Sequence, residues 1–195
     1  SGGLVGSEMC IRDRTYINSN ELKDIAKLGI TCFALEQVPR ISRAQSMDVL
    51  SSQSNLAGYR AVIEASQIYR KAFPMMMTAA GTIPPARVLV MGAGVAGLQA
   101  IATAKRMGAI VSATDVRPAA KEQVESLGGK FVAVEDEEFK EAESSGGYAK
   151  QMSAAYQKKQ AELVSKTISD QDIVITTALI PGKPAPKLIS DDMIK

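Results

Sequence analysis

One stretch constrains the fold of this chain more than any other. Residues 88–104 carry no charge, and within them stands Gly92-Ala93-Gly94-Val95-Ala96-Gly97. The stretch falls just short of the length a membrane helix needs, and its glycines would weaken a helix near its start. A strand, a glycine turn and a buried helix read equally apolar. Residues 87–91 predict that strand, and residues 95–107 predict the helix, with Val95, Leu98, Ile101 and Ala102 on one face. Residues 110–114 predict a second strand. A G-x-G-x-x-G between a strand and a helix, inside a βαβ unit, is the fingerprint of dinucleotide binding. The first glycine permits the tight turn, the second admits pyrophosphate to the backbone, and the third lets helix and strand pack closely. The helix N-terminus offers amide donors and a positive dipole end to phosphate.

Asp115 ends the second strand 23 residues after Gly92, about where a ribose-binding acid belongs. A carboxylate there accepts from both ribose hydroxyls and repels a 2′-phosphate, which favours NAD over NADP. Arg117, two residues on, speaks for NADP, but Asp115 weighs more heavily. Gly92, Gly94, Val95, Ala96, Gly97, Asp115, Val116 and Arg117 are therefore the candidate cofactor-binding residues of this half. The bland alternative, a glycine-bearing core turn without a ligand, is outweighed by strand, helix and acid standing in register.

The rest of the chain fits an α/β organisation. Residues 21–28 predict a short helix, residues 30–35 a strand, and residues 40–51 a polar loop. A long helix is expected over 53–73, with Leu56, Tyr59 and Ile63 on one apolar side and Val62, Ala65 and Tyr69 on the next. Pro74 ends it, and a connector with Gly81, Pro84 and Pro85 follows. Met75-Met76-Met77 reads as core packing. A helix opening at Pro118, a strand over 130–134, a helix over 153–168 and a strand over 173–177 complete the pattern. Such alternation predicts a doubly wound, parallel-sheet, Rossmann-type domain, preceded by the remnant of another α/β subdomain. The expected division is 1–14, a leader foreign to the rest; 15–52, the remnant; 53–84, the linking helix and connector; and 85–195, the nucleotide domain. The chain itself reads as a fragment of a longer protein.

Composition narrows the chemistry. The 195 residues carry a net charge of +2, too balanced for nucleic acid to be the main partner. Two cysteines give no disulfide framework or cysteine zinc site. The acidic run 135–143 reads as a solvated hairpin, so no metal site is expected. The absence of histidine excludes Ser-His-Asp triads and imidazole proton shuttles. Any chemistry here points to a cofactor.

Several loops resemble a known family. Arg40-Ile41-Ser42-Arg43-Ala44-Gln45-Ser46-Met47-Asp48, Ser51, and the segment 55–60 are similar to the NAD(H)-binding domain of proton-translocating NAD(P) transhydrogenases. So are residues 78–81, the glycine turn, Arg117-Pro118, Gly146-Gly147-Tyr148-Ala149-Lys150 and residues 176–186. The resemblance covers about residues 20–195. It implies that Arg40, Gln45, Asp48 and Ser51 belong to the loop over the nicotinamide and serve hydride transfer, with Ile41 and Ser42 beside them at the cofactor. It implies that Gly147 and Tyr148 form the tip of a loop closing over the nucleotide. It adds Thr177, Ala178 and Leu179 at a strand's C-terminal end. The activity implied is hydride transfer from NADH to NADP⁺ held on a partner domain, coupled in the whole enzyme to proton translocation by a membrane domain. A homodimer of this domain, on the cytoplasmic or matrix face of the membrane, is implied as well. The alternatives are an alanine dehydrogenase-like amino-acid dehydrogenase and a non-catalytic NAD-sensing domain.

Overall fold

Parallel strand pairing organises both parts of the chain. The structure, a computed structural model, describes residues 9–12, 19–29, 31–35, 38–39, 41–134, 136, 139, 153–179 and 185–194. Cα proximity divides the chain into two units, residues 1–53 with 180–184, and residues 54–179 with 185–195. In the first unit, strand β1 (Met9–Arg12) pairs in parallel with β2 (Thr31–Ala34), Met9 opposite Thr31 and Arg12 opposite Ala34. Helix α1 (Ser19–Lys27) lies between them in sequence, so the three form a βαβ unit, the connection parallel strands require. β1 falls among the residues expected to be a leader. A 3₁₀ segment, Ser42–Met47, then leads into α2 (Val49–Ile68).

The long helix therefore starts four residues earlier than residue 53 and stops well before Phe73. Val62 is fully buried, whereas Leu56 and Tyr59 are exposed, so the first of the two expected apolar faces is not a core face. The connector is not structureless. β3 (Met76–Thr78) and β4 (Gly81–Ile83) pair as an antiparallel hairpin, Met76 opposite Ile83, with all six residues exposed. The expectation that Met75, Met76 and Met77 pack in the core is overturned, since Met77 is 72% exposed and the other two are at least half exposed. An apolar run signals burial only where a second layer covers it.

The second unit is built on a four-stranded parallel sheet in the order β7-β6-β5-β8. β5 is Arg87–Met91, β6 Ile110–Thr114, β7 Lys130–Phe131 and β8 Ile173–Thr176. Helices α3 (Val95–Arg106), α4 (Ala119–Ser126) and α5 (Ala154–Ile168) connect them. β5 is central and buried on both faces, as a continuous apolar run in a parallel sheet must be. Val88 and Val90 pack with Ala100, Ile101, Ala104, Val111 and Val124. Leu89 and Met91 point the other way, onto Val164 and the partly buried Ile168. The two clusters on opposite faces make the sheet doubly wound. Residues 88–104 thus form a strand, a glycine turn and a helix, and among the described residues no helix is long and apolar enough to cross a membrane. The strand expected over 130–134 is shorter, but Val132 N–H still donates to Ala113 O, one ladder bond beyond β7.

Candidate functional site

The C-terminal ends of β5, β6 and β8 bring most of the glycine-turn residues together. Gly92 N–H donates to Thr114 O at 2.8 Å, extending the β5–β6 ladder by one residue. On the other side Thr177 N–H donates to Met91 O, and the Thr177 hydroxyl donates to Gly92 O at 2.8 Å. The turn is thus held from both flanking strands. Gly92 has φ +103°, and a Cβ there would stand 2.9 Å from the Thr177 hydroxyl, so conformation and space both require glycine. At Gly97 a Cβ would overlap the Gly92 carbonyl oxygen, because helix and turn meet there without clearance.

Gly94 differs from both. It is the N-cap of α3, exposed, with no protein atom within 4 Å of where a Cβ would lie. The helix has no side-chain cap at this end. Space above a helix N-terminus, next to a residue without a side chain, suits a phosphate group. The residues present therefore fit a dinucleotide. Val95 is exposed at the same turn, while Ala96 is half-buried.

Asp115 follows β6 directly and faces this turn. Its Oδ2 accepts from the Ala93 N–H at 2.7 Å, which ties the acid to the glycine turn across the sheet. Oδ1 accepts from the Arg117 N–H at 2.9 Å. The Arg117 guanidinium adds two bonds, Nε to Oδ1 at 2.9 Å and Nη2 to Oδ2 at 3.0 Å. Burial pushes the Asp115 carboxyl up, but the Arg117 guanidinium and the amides of Ala93 and Arg117 outweigh it, and the group sits below its ordinary value. Asp115 is therefore a held anion. Val116 projects into solvent between the two.

Around this cluster sit groups the sequence did not single out. Gln160 of α5 donates from Nε2 to Thr114 Oγ1 at 3.0 Å and accepts the Val134 N–H at its Oε1. The Tyr156 hydroxyl donates to Val134 O at 3.1 Å. The first bond fastens α5 to the end of β6, immediately before Asp115, and the other two fasten it to the segment after β7. No local pattern signals them, since Gln160 and Thr114 are 46 residues apart. Ala93 escaped notice because its contribution is a backbone amide.

In the first unit, Asp48 and Ser51 are brought together. Asp48 Oδ1 accepts the Ser51 N–H at 2.9 Å, and Oδ2 accepts the Ser51 hydroxyl at 2.6 Å. This is an N-cap for α2, with the carboxylate on an orphan amide of the first turn. Ser42 and Gln45 are exposed on the preceding 3₁₀ segment, and Ile41 is exposed at its N-cap. Ala178 is half-buried and Leu179 exposed beyond β8. Arg40, Gly147 and Tyr148 lie outside the described residues, as does most of the acidic run. Among the described residues no cluster of histidine, cysteine, aspartate and glutamate could hold a metal ion.

Comparison with known proteins identifies the family. The alanine dehydrogenase/PNT C-terminal domain family matches residues 61–195, and the corresponding N-terminal domain family matches residues 10–57. The chain belongs to the alanine dehydrogenase/PNT family. It is 67% identical, over 91% of its length, to an NAD(P) transhydrogenase subunit alpha protein of Rhodospirillum rubrum, covering 46% of that protein. The crystal structure of transhydrogenase from Sinorhizobium meliloti superposes with a TM-score of 0.84 at 59% identity, over 95% of this chain and 49% of that one. An alanine dehydrogenase of Methanococcus maripaludis is 27% identical, covering 85% of this chain and 39% of the relative. The chain thus spans about half the length of these transhydrogenase relatives.

Proposed function

We propose that this chain forms the NAD(H)-binding domain of a proton-translocating NAD(P) transhydrogenase, which passes hydride from NADH to NADP⁺ on a partner domain. The observation that carries this reading is the open turn at Gly94, tied through the Ala93 amide to a buried, ionised Asp115. High identity to transhydrogenase alpha subunits, against 27% to an alanine dehydrogenase, selects the family branch.

The residues divide the work. The first turn of α3 at Gly94, Val95 and Ala96 meets the pyrophosphate, Asp115 takes the ribose hydroxyls, and Thr177 keeps the turn in shape. In the first unit, Gln45, Asp48 and Ser51, with Arg40, orient the nicotinamide. Gly147 and Tyr148 close over the nucleotide. When bound, NADH supplies the hydride. Transfer between two nicotinamides leaves no substrate hydroxyl to deprotonate, so the reaction needs no general base. Catalysis is then positioning and exclusion of water. In the whole enzyme this domain pairs with a second copy and stands on the cytoplasmic or matrix face beside the membrane domain.

The test uses the full-length subunit with its partner subunits. Reduction of an NADP⁺ analogue by NADH, without oxidation of L-alanine, is the expected result. L-alanine oxidation would move the assignment to the amino-acid dehydrogenases. NADH binding with neither reaction would leave a sensing domain.

A further inference from the structure

We infer that the Arg117 guanidinium is a gate on the ribose site, held on Asp115 until the diol of the adenosine ribose displaces it. This inference rests on the proposed NAD(H) site and adds a residue whose role there is not that of a ligand. An ionised carboxylate offers about four acceptor positions. At Asp115 four donors reach it: the Ala93 amide, the Arg117 amide, and the Nε and Nη2 of the Arg117 guanidinium.

The two amides cannot leave. Ala93 N–H is fixed by the glycine turn, and Arg117 N–H by the backbone that opens α4. The guanidinium can, because the Arg117 side chain is 31% exposed while that of Asp115 is 7% exposed. Two ribose hydroxyls donating to Asp115 therefore need the two positions that the guanidinium fills. An exchange of two donors for two donors leaves the buried carboxylate satisfied.

A 2′-phosphorylated ribose cannot make the same exchange. It retains one hydroxyl on that edge and brings further negative charge against a buried anion. Drawing the guanidinium away to meet the phosphate strips Asp115 of two bonds and restores at most one, and a buried charge left short of partners is costly. The arginine that reads in sequence as an NADP ligand is thus a competitor for Asp115 that either nucleotide must displace, and the preference for the diol rests on Asp115 itself.

The experiment is calorimetric titration of NADH and of NADPH into the full-length subunit, comparing wild type with Arg117→Met and Arg117→Lys. Methionine keeps an unbranched apolar stem and removes the fork. Lysine keeps the charge on a single point in place of two parallel donors. The expected result is tighter NADH binding in Arg117→Met, by about two- to fivefold, the worth of a partly exposed ion pair. Arg117→Lys falls between Arg117→Met and wild type, and NADPH is tightened less than NADH, because its ribose places one hydroxyl on Asp115 where the diol places two and its phosphate loses a nearby cation. Unchanged or weaker NADH binding in Arg117→Met overturns the gate, the second because it makes Arg117 a support for the site. If wild type binds neither nucleotide, the parent reading fails rather than the gate.

Discussion

Asp115 joins three separate parts of the second unit through one side chain, and its protonation state has consequences for stability as well as binding. Burial opposes the charged form of its carboxyl, but Arg117 and two amides hold that form, and the native group sits below its ordinary value. A group depressed in the folded state contributes stability above its unfolded pKa, about 3.9. That contribution disappears as pH falls from there through the native value. Asp115→Asn should therefore flatten the acid limb of the unfolding curve below about pH 4, read by circular dichroism across a pH series. Asp115→Ala should weaken NADH binding by about ten- to hundredfold, the cost of losing hydrogen bonds to a charged group. It should also narrow the preference over NADPH. Calorimetry showing an undiminished preference would remove Asp115 from the ribose site.

Elements differ in how far they were legible before the structure. β5 and β6 were readable to the residue, β5 as the apolar run 88–91 closed by a glycine and β6 as a short run after Gly108-Ala109 closed by Asp115. The helix after the turn was equally readable, though its buried face runs through Gly97, Ala100, Ile101 and Ala104 rather than through Val95, which is exposed. The β3–β4 hairpin was not. Its residues are short and apolar, but no layer covers them, and coverage is a property of tertiary structure. Asp48 has a capping role beside the one that the family resemblance implies. An acid just before a helical run is an N-cap pattern, and here it accepts the Ser51 N–H of the first turn. The cap separates the two roles experimentally. Asp48→Ala should cost about 1 kcal/mol of stability, whereas asparagine caps about as well as aspartate. Asp48→Asn should therefore keep the melting temperature and show only a functional loss. An equal loss of stability in both variants would make Asp48 structurally irreplaceable. α2 carries a second sensitive position. A Cβ at Gly58 would overlap the Ala96 carbonyl oxygen in the first turn of α3. Gly58→Ala should cost about 1–3 kcal/mol, the range for overpacking, measured by denaturant unfolding.

At the scale of the molecule, the proposed function assigns tight binding and reaction geometry to different segments of the chain. On that proposal the Gly94 turn and Asp115 meet pyrophosphate and ribose, and the loop around Gln45 meets the nicotinamide. A change confined to that loop should therefore alter rate and spare affinity. Gln45 is the most informative position. Its side chain is exposed on the 3₁₀ segment, while its backbone carbonyl accepts the Asp48 N–H at 3.2 Å. Gln45→Asn keeps the backbone bond and the amide chemistry and shortens the reach by one methylene. NADH affinity should be within about twofold of wild type, since a surface substitution away from the binding contacts changes little. Hydride transfer should fall, because a misplacement near 1 Å at reacting partners costs about a hundredfold in rate. The measurement is single-turnover reduction of an NADP⁺ analogue in the assembled enzyme, beside a calorimetric titration of the same variant. A drop in transfer with unchanged affinity marks an interaction made only on the way to the transition state. A parallel loss of both would place Gln45 among the ground-state binding groups. An unaltered rate would put the loop outside the reaction zone, leaving the glycine turn and Asp115 as a nucleotide site without residue-level support for transhydrogenation.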